Sequence, residues 1–204
     1  MNKKQLQSEQ TKKKVASAAR ALFAQKGYKG TSIEDIVEAT ESSKGNIYYH
    51  FKSKEGLFLY LLEEWDLEWE QKWNEQQARY ETSTEKLYAI VEQGVMDDFS
   101  HPLTKAADEF FNHEEKTSEV EKRMTAMIDR HLEFNKRLIQ EGIDRGELEP
   151  MQVEHLAIIL EGLFFGLNQL SRRSSTMDEV LTIYRTAVKV VLHGIASTKS
   201  EQAQ

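Results

Sequence analysis

Two short stretches of helical periodicity lie four residues apart near the start of this 204-residue chain, and so tight a spacing leaves few folds open. The first begins at Thr31. Ile33, Ile36 and Val37 fall on one face at helical spacing, while Glu34, Asp35 and Glu38 fall on the other. Thr31 followed three residues on by Glu34 reads as a capping box, in which hydroxyl and carboxylate each satisfy an orphan backbone N–H. Thr40-Glu41-Ser42-Ser43 continues a helix poorly, because Ser and Thr side chains compete for backbone bonds. Ser43 is a good N-cap for a second helix over about 44–51. There Ile47 and Phe51 are four apart and can pack on the first helix, which leaves Lys44, Gly45, Asn46, Tyr49 and His50 outside. Two helices joined this way make a helix-turn-helix.

The outer face has a chemistry of its own. Lys and His suit phosphates, Asn can bond a base edge through two hydrogen bonds, and Gly45 lets another backbone approach closely. A capped surface helix with a solvated polar face would carry the same residues. A resemblance separates the two readings. Ser43 to Leu57, Ser-Lys-Gly-Asn-Ile-Tyr-Tyr-His-Phe-Lys-Ser-Lys-Glu-Gly-Leu, resembles the recognition helix and following helix start of TetR-family transcriptional regulators. Upstream, Ala18 to Ser32 resembles that family's first helix and its Gly-ended turn, so the likeness covers about residues 11–60. One departure stands in the turn: Glu41 and Ser42 replace the Gly and apolar residue often found there. The resemblance implies that Lys44, Gly45, Asn46 and Tyr49 meet bases. It implies backbone contacts for Thr31, Ser32, Ser43, Tyr48, His50 and Lys54.

Charge points the same way independently. Residues 1–54 hold eleven Lys and Arg against five Asp and Glu, a net +6, within a chain whose total is −7. A basic end on an acidic body suits a protein that presents only that end to a polyanion. The Lys12-Lys13-Lys14 run opens the first helix, either as a phosphate contact or as a solvated run.

Composition bounds the rest. There are two prolines, ten glycines and no cysteines, so a disulfide framework and a thiolate metal site are both excluded. The N-terminus is Lys- and Gln-rich, unlike a secretory signal. The apolar stretch over about 156–170 is broken by Glu161 and Asn168 and reads as short of a membrane span. A cytoplasmic protein is expected. Enzyme signatures are missing: no Gly-rich phosphate loop, no Gly-x-Ser-x-Gly and no His-Glu-x-x-His. Glu109 and His113, four apart, offer a metal pair, but the duplicated Glu-x-x-His of carboxylate bundles is lacking. No enzyme activity, metal or cofactor is expected.

The whole reads as all-α with about nine helices: a helix-turn-helix domain over 1–53 and a helical effector-binding and dimerisation domain over 54–204. Helices are expected near 54–80, 85–99, 102–113, 118–144, 152–173 and 177–197. The last two carry apolar stripes: Leu156, Ile159, Leu160, Leu163, Phe164, Leu167 and Leu170 in one, Val180, Tyr184, Ala187, Val188, Val191 and Ile195 in the other. Gly162 and Gly166, one turn apart, would admit a neighbouring helix. These stripes face either the chain's own core or a second copy; the resemblance implies a homodimer through both helices. It also implies an effector pocket, for which Trp65, Trp69, Phe99, Phe110, Phe111, Met124, Met127, His131, Phe134 and Phe164 are the candidates, each equally at home in a plain core. The expected function is a ligand-responsive regulator, most often a repressor. It would bind palindromic double-stranded operator DNA as a dimer and be released by an unidentified small molecule. The alternative is a DNA-binding architectural or interaction protein without an effector.

Overall fold

The computed structural model describes residues 2–112, 117–171 and 176–193. Among the described residues the chain is helical throughout: α1 Lys3–Lys26, α2 Ile33–Thr40, α3 Lys44–Phe51, α4 Lys54–Gln76, α5 Ser83–Ser100, α6 Thr104–Phe111, α7 Ser118–Asp144, α8 Val153–Ser171 and α9 Met177–His193. A single 3₁₀ turn over Gln77–Arg79 ends α4 earlier than its periodicity suggests. The first helix begins at Lys3, where Asn2 and Gln5 form a capping box. The Lys12-Lys13-Lys14 run therefore lies mid-helix rather than opening it, a correction. Residues 172–173, Ile195 and the remainder of the expected last helix lie outside the described residues, as does His113.

The chain packs as two compact units, residues 1–72 with 100–128 and residues 73–99 with 129–204. This packing division differs from the functional boundary expected at 53/54, because α6 and the start of α7 pack with the helix-turn-helix. The first unit is built on an aromatic knot. Phe23 meets Phe58 edge-on at 4.8 Å, Tyr28 packs on both, and Phe110 of α6 lies 5.0 Å from Tyr28 and 5.2 Å from Phe58. Val15, Ala19, Ile36, Ile47, Leu57 and Leu61, all sealed from solvent, complete it. Arg123 of α7 closes the unit with a two-bond clamp on Glu63 and a third bond to the Gly56 carbonyl.

The second unit has a mostly aliphatic core of Leu87, Val91, Val95, Leu138, Ile139, Ala157, Leu160, Val180, Leu181, Tyr184 and Val188. The α9 stripe is corrected here. Val180, Tyr184 and Val188 are buried inside this unit, so they are not a free association surface. Outward-facing apolar residues on α9 are instead Ile183 and Val190. On α8 the reverse holds: Ile158, Ile159, Phe165 and Leu170 are all more than half exposed. A side chain at Gly162 or Gly166 would meet nothing within 4 Å. At nineteen residues α8 is, by length and composition, long and apolar enough to cross a membrane, which corrects the expectation that this stretch falls short. Its polar residues nevertheless bond within the unit, Glu161 to His131 and Asn135, and Asn168 to Asp98.

Candidate nucleic-acid interface

α2 and α3 are eight residues each, too short to persist alone, so their geometry depends on caps and on what they bury. The α2 cap is Ser32, not Thr31: its hydroxyl accepts the Asp35 N–H, and Asp35 accepts the Ser32 N–H at 2.7 Å. Lys26 adds a 2.6 Å ion pair to the same carboxylate, and these bonds hold Asp35 well below the usual carboxylate range. Thr31 is corrected on both counts. Its side chain is buried and its hydroxyl donates to the Gly27 carbonyl at 2.8 Å, so it seals the α1–α2 turn and presents no hydroxyl to DNA. Ile33 and Ile36 are buried and Val37 packs beside them.

Between the helices, Glu41 takes the left-handed conformation at φ 53°, the place where Gly is commonest because it lacks a Cβ. Here the turn keeps its usual shape with a residue that must be held there. Thr40 helps: its buried hydroxyl donates to Ile36 O and accepts the Ser42 N–H.

α3 then runs over the expected residues. Ser43 accepts the Asn46 N–H at 3.2 Å, and Ile47 and Phe51 point inward, 0% and 4% exposed. Lys44, Gly45, Asn46, Tyr48 and Tyr49 are exposed and His50 is half-buried between the rings of Tyr49 and Phe51. Lys44 pairs across the turn with Glu34 of α2. A Cβ built at Gly45 would meet only Ser43 Oγ, at 3.7 Å, so nothing inside the protein requires Gly there. After α3, Lys52 (φ 69°, ψ −41°) makes a tight γ-turn in which the Ser53 N–H donates to Phe51 O at 2.9 Å. A side chain at Gly56 would collide with that same carbonyl.

Lys54 differs from expectation. Its ammonium donates to the carbonyls of Tyr28 and Thr31, each at 2.9 Å, and sits 4.3 Å over the Tyr28 ring. Burial lowers its pKa, against the charges of Glu55 and Glu109. Its side chain is thus a strut under the α1–α2 turn, which Glu109 of α6 holds from the other direction by accepting the Lys29 N–H at 2.8 Å. Gly27 is needed at this joint, since φ is +76° and a Cβ would stand 2.5 Å from the Glu109 carboxylate. Lys12 is likewise occupied, lying over the Tyr60 ring at 4.3 Å.

The ten candidate effector residues do not form one group. Phe110 and Met127 are buried in the core of the first unit, and Trp65, Phe111 and Met124 pack against it; Phe110 is a core residue by its contacts. Trp65 also stacks on His101 at 3.7 Å, and Trp69 belongs to the same unit. In the second unit, Phe134 packs on Trp73, which in turn stacks on Tyr80. Trp73 was missed from the candidates although it is almost wholly buried. His131 Nδ1 lies 3.0 Å from Glu161, Phe164 stacks on Tyr184, and Phe99 is exposed. An open depression of about 470 Å³ lies beside Tyr28, Lys29, Ser53, Lys54 and Glu55, and none of the ten lines it.

This arrangement has relatives. Residues 15–61 match the model of bacterial regulatory proteins of the tetR family, and residues 65–197 match that of the C-terminal region of QacR-like proteins. The HTH-type transcriptional regulator QacR of Staphylococcus aureus is 35% identical over 185 residues, 91% of this chain and 98% of its own length. The chain belongs to the TetR family. As a TetR-family protein it is a helix-turn-helix transcriptional regulator, and its relatives are not enzymes. Solved structures agree with the fold. A TetR regulator from Chloroflexus aurantiacus is 26% identical with a TM-score of 0.71, over 92% of this chain and 96% of that one. The regulator FadR from Bacillus subtilis, solved in complex with stearoyl-CoA, is 19% identical with a TM-score of 0.67, over 90% and 98%.

Proposed function

We propose that this TetR-family protein is a cytoplasmic repressor that binds a palindromic operator as a homodimer and leaves it when a small molecule occupies the C-terminal region. The observation that carries the DNA half is α3: inward Ile47 and Phe51, outward Lys44, Gly45, Asn46, Tyr48 and Tyr49. A short helix so capped and anchored presents base-reading groups in fixed register. Asn46 and Lys44 read base edges, while Ser32, Ser43, Tyr48 and His50 meet the backbone. Thr31 and the Lys54 ammonium act from behind, setting the turn.

The dimer half rests on the uncovered face of α8, where Ile158, Ile159, Phe165 and Leu170 surround two glycines with open space above them. Two copies related by a two-fold axis would bury this face and set two α3 helices about 34 Å apart, one turn of DNA. An effector is supported by the family and by FadR, whose fold is shared and which was solved with an acyl-CoA. Release follows if the effector binds the DNA-free form more tightly than the DNA-bound form, and linkage makes the two effects equal in size. The test is genomic footprinting of the purified protein, then a screen for metabolites that weaken the recovered footprint. A footprint without sequence preference sinks the operator reading. A specific footprint that no metabolite releases favours an architectural role.

A further inference from the structure

Glu34 is an acid on a surface read here as facing a polyanion, and it is not needed for the fold. Its neighbour Asp35 does the capping of α2, whereas Glu34 is exposed and its carboxylate accepts the ammonium of Lys44, the first residue of α3. The side chains are 65% and 55% exposed, so both are open to a docking partner. Each member favours the charged form of the other: hydrogen bonding to Lys44 lowers the Glu34 pKa, and the same bond raises that of Lys44.

We infer that Glu34 is a specificity-determining residue that withholds Lys44 from DNA of the wrong sequence. The inference rests on the operator reading above. An exposed ion pair is weak and yields to a better partner. A guanine edge, with two acceptors placed for a Lys ammonium, is such a partner. A phosphate that happens to lie nearby competes with the carboxylate on more even terms, and the carboxylate repels it. On random DNA the pair therefore persists and one cation is missing from the contact. Specificity obtained by penalising the wrong partner is an ordinary device of protein interfaces.

The experiment measures binding of the full-length protein to the footprinted operator and to a scrambled duplex over a range of salt concentrations. It compares the parent, Glu34→Gln, Lys44→Met and the double variant, with melting temperatures to confirm folding. Glu34→Gln is expected to tighten the scrambled duplex about threefold and to steepen its log K against log salt slope by about 0.9, the increment for one more phosphate contact. Operator affinity should move less than twofold, and in the Lys44→Met background the effect should vanish. Equal tightening on both duplexes would mean bulk charge alone and overturn the inference. So would no change, weakening on either duplex, or an effect that survives Lys44→Met. A parent protein that does not distinguish the two duplexes sinks the operator reading itself, and this inference with it.

Discussion

α3 and α8 both turn much of their surface outward, but what they expose is opposite. α3 shows Lys44, Asn46, Tyr48 and Tyr49 and hides Ile47 and Phe51. α8 buries Ala157 and Leu160, bonds Glu161 within its unit, and leaves Ile158, Ile159, Phe165 and Leu170 to solvent. A polar exposed face costs nothing in water and is free to wait for a charged partner. An apolar one of this size marks a surface that another protein covers. The same exposure, read by chemistry, thus points to DNA in one place and to a second copy in the other.

The sharpest way to break that comparison is to attack what anchors each helix. Phe51→Ala should unfold the helix-turn-helix, removing about 3–5 kcal/mol, as read by urea denaturation followed by circular dichroism. Were the loss below 1 kcal/mol, Phe51 would not be the anchor of α3. Phe165→Glu should leave the fold intact but halve the mass seen by sedimentation and weaken operator binding at least a hundredfold, because a charge cannot be buried unpaired in an interface. A dimer that survives it places the association surface elsewhere. Asn46→Ala should cost about 1–3 kcal/mol at one base pair of the operator and relax preference there; a loss spread evenly over all sequences would make Asn46 a backbone contact. Gly45→Ala is the converse probe, since the protein has room for the methyl group. It should raise helix stability by up to about 1 kcal/mol while weakening operator binding. Binding that improves along with stability would remove Gly45 from the interface. The smallest effect belongs to the turn: Glu41→Gly should relieve the left-handed conformation and raise head stability by about 1 kcal/mol, visible as a melting shift with DNA preference unchanged.

How far each helix could be read from sequence follows the same division. α3 appeared at its observed bounds because Ser43, Ile47 and Phe51 leave no other register, and α7 did so because Thr117 and Gly146 bracket it. The α2 cap was misplaced by one residue. Thr31 with Glu34 and Ser32 with Asp35 are equivalent pairs in sequence, and burial of the Thr31 hydroxyl over the Gly27 carbonyl decides between them. Lys54 looked like a phosphate ligand because a lysine at a helix start suits an anion. The two carbonyls that occupy its ammonium come from residues more than twenty positions away.

The sequence alone determined the helix-turn-helix, its reading face and the all-helical body, because caps and a 3.6-residue period act between near neighbours. Tertiary structure decided which apolar stripe is core and which is surface. Val180, Tyr184 and Val188 on α9 and Ile158, Ile159 and Phe165 on α8 are equally hydrophobic, yet the first set is buried and the second is not. A residue's period says that it shares a face with its neighbours. Only packing against helices far along the chain says what that face meets.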